Sequence, residues 1–141
     1  MGGRSKATKP REAELLGAAA YRTALRRFLH RTESVANEAG LTSQRYDLLL
    51  MIAAAGELRV TELCDLLDLQ QTAVTELVKR TEEAGLITRH PGDDDGRVRL
   101  VRLTPEGRRR LLHAFAALRD DRESLRGAFR EVDRRFRAAA G

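Results

Sequence analysis

"TELCDLLDLQQTAVTELVKRTEEAGL", residues 61 to 86, is written in two helical phrases separated by a turn. At 100° per residue, Leu63, Leu66 and Leu67 point inward from a short helix, and Val74, Leu77 and Val78 share the inner face of a longer one. Two helices of this size on so short a connection form a helix-turn-helix; an ordinary helical hairpin is the alternative. Asp68 stands in the turn where glycine is common, and aspartate is among the few residues that tolerate a left-handed backbone. Gly85 closes the longer helix.

The next segment separates those two readings. "LITRH" (86–90) and "RVRLVRL" (97–103) are short, β-branched runs with period-two character, joined by "PGDDDG". Val98, Leu100 and Arg102 fall on one side of the second run, and Arg97, Arg99, Val101 and Leu103 on the other. A two-stranded hairpin directly after a helix-turn-helix is a wing. Thr104 and Pro105 then make a strong helix start, cap followed by first-turn proline. From there Leu111, Phe115, Leu118, Arg122, Leu125, Phe129, Val132 and Phe136 step by four and three, an apolar seam broken only by Arg122. The spacing predicts one long helix, or two with a tight joint near Arg119 to Glu123.

Upstream, Thr42 is placed to cap a helix that ends at Gly56, with Leu41 positioned to staple onto Tyr46. A first helix runs from Glu12 to about Asn37, with Ala18, Tyr21, Leu25, Phe28, Thr32 and Val35 along one stripe. The chain therefore reads as a disordered basic segment (1–10), an amino-terminal helix (11–40), a winged helix-turn-helix (41–104) and a carboxyl-terminal helix or helices (105–141). The fold class is mainly α with a two-stranded β wing.

Composition bounds the function. The 141 residues are 42% hydrophobic and 33% charged, which suits one compact domain. The longest apolar stretch, "LLLMIAAAG", falls far short of the roughly 20 residues that cross a bilayer. Residues 1–10 show neither a secretory core nor a myristoylation motif, Lys6 standing where that motif has Ser or Thr, so a cytoplasmic protein without membrane partners is expected. The net charge of +5 has its surplus at the two ends, 8 basic against 4 acidic side chains in residues 1–40 and 10 against 6 in 104–141. Charge alone thus supports a polyanion partner only weakly, and the case rests on where the charges sit.

The aspartates of "HPGDDDGRVRL" (90–100) invite a metal site or catalytic carboxylates. A calcium loop fails, because with Asp93 and Asp95 at its third and fifth positions the first would be Pro91 and the twelfth Arg102. His30, His90 and His113 lie far apart, and Cys64 is the only cysteine, so neither a ligand pair nor a cysteine cage is available. A loop tip solvates carboxylates instead of shifting their pKa. No metal, cofactor or enzymatic activity is expected. Turn chemistry explains the run, with Asp95 two residues before Arg97 and able to hold its guanidinium in one direction, a disposition suited to a DNA minor groove.

From about Leu41 to Gly107 the chain resembles the MarR family of winged-helix transcriptional regulators. "LRVTELCDLLDLQQTAVTELVKRTEEAGLITR" is similar to the family's helix-turn-helix, and "DGRVRLVRLTPEG" to its Asp-x-Arg wing running into Leu-Thr-x-x-Gly. The resemblance implies a homodimer held by helices from both termini, binding to a pseudo-palindromic operator in double-stranded DNA, and release by a small, often aromatic, ligand. It makes Tyr21, Leu25 and Phe28 on the first helix and Leu125, Phe129, Val132 and Phe136 on the last the candidate dimer interface. Helical phase leaves Thr72, Glu76, Lys79 and Glu83 outward on the longer helix, with Thr75 alongside, Gln70 and Gln71 at its amino end and Arg80 flanking; of these, Gln70, Gln71, Thr72, Thr75, Glu76, Lys79 and Arg80, together with Asp95 and Arg97, are the candidate DNA contacts. Many family members have arginine where this chain has Glu76; a carboxylate there would seek a cytosine amine. Phe28, Tyr46, Leu111 and Phe115 are the candidate ligand-lining residues, although a core role explains each equally. Some relatives sense peroxide through a cysteine, but Cys64 lies on an apolar helix side beside Leu63 and Leu67 and reads as an inert thiol. The favoured function is a ligand-responsive repressor; a winged-helix activator or architectural factor without a ligand is second, and a coiled-coil interaction protein or hydrolase is remote.

Overall fold

The computed structural model describes residues 11–92 and 97–140. Among the described residues, six helices and three strands run in the order α1 (Glu12–Glu38), α2 (Ser43–Ala55), β1 (Leu58–Arg59), α3 (Glu62–Leu67), α4 (Gln71–Glu83), β2 (Ile87–Pro91), β3 (Arg99–Leu103), α5 (Pro105–Ala117) and α6 (Arg119–Ala140). The expected basic segment 1–10 lies outside the described residues. The chain divides into two compact units, Thr32–Leu118 and the pair of terminal stretches Met1–Arg31 with Arg119–Gly141.

In the central unit the punctuation works as its chemistry dictates. Thr42 Oγ1 accepts from the Arg45 N–H at 3.1 Å, opening α2, and Gly56 ends that helix at φ 85°. Asp68, at φ 52° and ψ 49°, takes the left-handed turn between α3 and α4. The inner face of α4 buries Val74, Leu77, Val78 and Thr81, the last satisfying its hydroxyl by donating to the Leu77 carbonyl at 2.6 Å. Val74, Leu77 and Val78 join one core with Val35, Leu41, Tyr46, Leu48, Leu49, Ile52, Leu63, Leu86, Ile87, Val101, Leu111 and Leu118.

The wing is two-stranded, β2 against β3, and the sequence did not show the short strand that extends it: β1 pairs antiparallel with β3, Leu58 opposite Val101 and Arg59 opposite Leu100, giving the order β1-β3-β2. A two-residue strand has no periodicity of its own to read, and its place is fixed by β3. Leu66, expected inward, is 48% exposed, while Leu63 is buried and Leu67 partly so. Six residues present only a narrow inner face; Leu63 and Leu67, four apart, define it, and Leu66 falls past its edge.

The Leu-Thr-x-x-Gly segment is a junction. The Thr104 N–H donates to the Leu86 carbonyl at 3.0 Å, its hydroxyl donates to the Gly85 carbonyl at 2.7 Å, and the same oxygen accepts from the Gly107 N–H at 3.0 Å. A Cβ at position 107 would overlap the Leu86 carbonyl oxygen, so only glycine lets α5 start this close to the end of α4. The carboxyl-terminal seam resolves into two helices. The joint is Leu118, at φ −93° and ψ 5°, one residue ahead of the expected window.

The terminal unit is built differently. Phe129 stacks on Tyr21 with ring centroids 4.5 Å apart, and Phe136 lies so close to Gly17 that a Cβ there would sit 2.8 Å from its ring. Val132 is buried, but Leu15, Leu16, Tyr21, Leu25 and Leu29 stand exposed along α1.

Candidate nucleic-acid interface

Burying one face of α4 dictates what the other presents. Gln71, Thr72, Thr75, Glu76, Lys79 and Arg80 are all exposed, a continuous polar surface opposite Val74, Leu77 and Val78. Gln70 occupies the N-cap position without making a side-chain capping bond, so its amide is not spent on its own helix terminus. Lys79 has no ion-pair partner among the described residues, whereas Arg80 Nε donates to Glu76 Oε1 at 2.8 Å one turn earlier.

The wing carries the second part of the surface. Five residue pairs hold β2 to β3, from Ile87 opposite Leu103 to Pro91 opposite Arg99, with Gly92 N–H donating to the Val98 carbonyl at 2.7 Å at the tip. Ile87 and Val101 anchor the buried side. Arg97 and Arg99 are exposed at the distal end. Asp95, the expected partner of Arg97, lies outside the described residues.

A side-chain clamp that sequence reasoning missed joins these two parts. Arg89 on β2 grips Glu82 of α4 with two nitrogens, Nη2 to Oε1 at 2.9 Å and Nε to both oxygens at 3.2 Å. Those hydrogen bonds hold the Glu82 carboxyl below its ordinary range and raise the Arg89 guanidinium. The two residues are seven apart with a glycine turn between them, so no helical or strand period relates them. Arg102 makes a comparable link, donating from Nε to Glu57 Oε2 at 2.7 Å.

The candidate ligand-lining residues are placed individually. Tyr46 and Leu111 are buried in the central core, and Phe115 is 39% exposed on α5. Phe28 lines a hollow of about 180 Å³ in the terminal unit with Ala24, Arg27, Asp121, Ser124, Leu125 and Ala128. Of the candidate dimer residues, Tyr21 and Leu25 are exposed, Phe28, Leu125, Phe129 and Phe136 half-buried, and Val132 buried. Cys64 is a free, partly buried thiol. Among the described residues no group of His, Cys, Asp and Glu is arranged to hold a metal ion, and no helix is long and apolar enough to cross a membrane.

A helix-turn-helix with an outward polar second helix, followed by a basic wing, is a winged helix-turn-helix. Residues 39–98 match the model of the MarR family. YwoH of Bacillus subtilis, an uncharacterized HTH-type transcriptional regulator, is 30% identical over 95 residues, 67% of this chain and 69% of that protein. YdgJ of the same organism, described in the same words, is 33% identical over 72 residues, 51% of this chain; the match spans 44% of YdgJ, less than half its length. Among solved structures, a MarR mutant from E. coli complexed with operator DNA superimposes with a TM-score of 0.66 at 21% identity, covering 74% of this chain and 75% of that one. The chain belongs to the MarR family, whose members are transcription regulators and not enzymes.

Proposed function

We propose that this protein is a homodimeric, sequence-specific DNA-binding regulator that represses from a pseudo-palindromic operator in the cytoplasm and is released by a small ligand, an aromatic one being the best fit to the family pattern. The observation that carries the reading is the exposed face of α4, where Gln71, Thr72, Thr75, Glu76, Lys79 and Arg80 stand together above a fully used core face. Such a helix suits the major groove: glutamine pairs bidentately with adenine, threonine meets the thymine methyl, and Lys79 reaches guanine or phosphate. Arg97 and Arg99 supply positive charge where a wing meets the adjacent backbone or minor groove. The solved E. coli relative bound to operator DNA supports the same use of the fold.

Dimerisation is supported by the exposed leucines of α1, since one copy leaves Leu15, Leu16, Leu25 and Leu29 in water. A second copy also accounts for two reading heads on two half-sites one helical turn apart. The test is selection of bound duplexes from random DNA, then titration at several salt concentrations. A symmetric site with strongly salt-dependent affinity is the expected result, and an asymmetric site or none would sink the proposal. Adding small aromatic acids and phenols to the bound complex then separates a ligand-released repressor from an activator or architectural factor that needs no ligand.

A further inference from the structure

An acidic side chain on a DNA-facing helix demands an explanation, because a bare carboxylate between two phosphate backbones is repelled. Glu76 sits at the centre of the exposed face of α4, and one turn later Arg80 Nε donates to its Oε1 at 2.8 Å. The side chains are 53% and 66% exposed, and exposed pairs of this kind add little to stability. What the pair does provide is geometry. The bond uses one nitrogen of the guanidinium and one oxygen of the carboxylate, so Glu76 Oε2 and the two terminal nitrogens of Arg80 have no partner among the described residues. The local charge is neutralised, and an acceptor and a pair of donors remain side by side on the outward face.

We propose that Glu76 and Arg80 form one composite reader, in which Glu76 Oε2 accepts from the N4 amino group of a cytosine in the major groove while Arg80 binds the neighbouring phosphate. The proposal rests on the DNA-binding reading, in which α4 faces the groove. Cytosine is the base whose major-groove edge offers a donor without an adjacent acceptor, which is what a carboxylate selects. Arg80 suits the backbone because it lies in the last turn of the helix, away from the end that enters the groove first. Arg80 thereby acts as a positioning residue for Glu76 and as a phosphate contact in its own right. Lys79, adjacent and without an ion-pair partner among the described residues, offsets the exposed Glu83 one turn on, so with Glu76 and Arg80 paired the charges of the face balance.

Selection from a randomised duplex library, run in parallel on wild type and variants at fixed salt, tests this. Wild type should select a symmetric site with one cytosine position in each half-site preferred about tenfold or more. Glu76→Gln, isosteric and exposed, should move that position from cytosine to adenine while leaving the rest of the site alone, because glutamine offers both a donor and an acceptor. Arg80→Ala should weaken binding to all sequences, lower the salt slope by about one contact per subunit and blunt the cytosine preference; Arg80→Lys should restore the slope. If Glu76→Gln and Glu76→Ala select the same base as wild type at every position, the pair is only a helix-surface ion pair and the proposal is overturned. A wild type that selects no duplex at all overturns the DNA-binding reading itself, a distinct result from loss of one base preference.

Discussion

The central unit and the terminal unit of this chain use the same surface chemistry and opposite interiors. In α5, Glu106 accepts from Arg109 and Arg110, three and four residues on; in α6, Glu131 accepts from Arg134 and Arg135 at the same spacing. Both carboxyls are held down to about 2 from 4.5 by the hydrogen bonds of those arginines. The interiors diverge. Thr32–Leu118 buries Leu48, Leu49, Ile52, Leu63, Val74, Leu86 and Val101 almost completely, whereas in the terminal unit Val132 is the one apolar side chain of that size buried among the described residues. Surface ion pairs are therefore not what distinguishes the two units; apolar burial is.

If the terminal unit draws its stability from a second copy, removing its aromatic contacts should break the dimer. Phe129→Ala with Phe136→Ala deletes the stack on Tyr21 and the contact with Gly17; a phenylalanine contributes about 1.5 to 3 kcal/mol when fully buried, and these half-buried rings less. Sedimentation across a wide concentration range should show dissociation at concentrations where wild type stays dimeric, together with loss of operator binding. A double variant that remains dimeric throughout would end this account of the terminal unit.

The central unit should respond to damage without any dependence on protein concentration. Gly107→Ala drives a methyl group into the Leu86 carbonyl, and such overpacking against backbone costs about 1 to 3 kcal/mol. Thermal unfolding should move down by several degrees at every concentration tested; an unchanged midpoint would mean that α5 starts further from β2 than the Thr104 hydrogen bonds indicate.

A third substitution separates function from stability within the central unit. Arg97→Ala removes an exposed wing residue and should weaken DNA binding by about tenfold, with unfolding temperature and dimerisation unaltered. Unchanged affinity would remove the wing from recognition.

The smallest effect concerns what the two units share. Glu106 and Glu131 titrate lower in the folded chain than in the unfolded one, so their stabilisation is fully present above about pH 4.5 and is lost as pH falls toward about 2. Acid titration monitored by circular dichroism should show a shallower decline across that window for Glu106→Gln with Glu131→Gln than for wild type. An identical acid limb would mean that solvent screens both pairs completely.

Local chemistry was legible wherever one residue type answers one backbone need. The Thr42 and Thr104 caps, the left-handed Asp68, the stop at Gly56 and the inward set of α4 can be read from sequence alone because each is settled within a few residues. Features that depend on distant partners were not. The two-residue β1 exists because β3 lies beside it, Leu66 is exposed because α3 is too short to bury a third leucine, and the helix joint sits at Leu118 although the apolar seam runs straight through it. For the candidate interface, helical phase gave the outward residues of α4 and sets Glu76 one turn from Arg80, but the grip of Arg89 on Glu82 joins two different elements and depends on rotamers that no periodicity encodes.

That grip has a consequence for anyone who would re-engineer the protein. Because Arg89 on the wing strand holds Glu82 near the end of α4, exchanging either alone removes a contact that the whole block retains. A chimera that imports a foreign recognition helix without a carboxylate at position 82 strands the arginine, and one that imports a foreign wing without arginine at position 89 strands the glutamate. The transplantable unit is the block from Gln70 to Thr104, whose far end is fastened by the Thr104 hydrogen bonds to Gly85 and Leu86. Moving it whole carries the spacing between α4 and the wing along with the exposed residues of both.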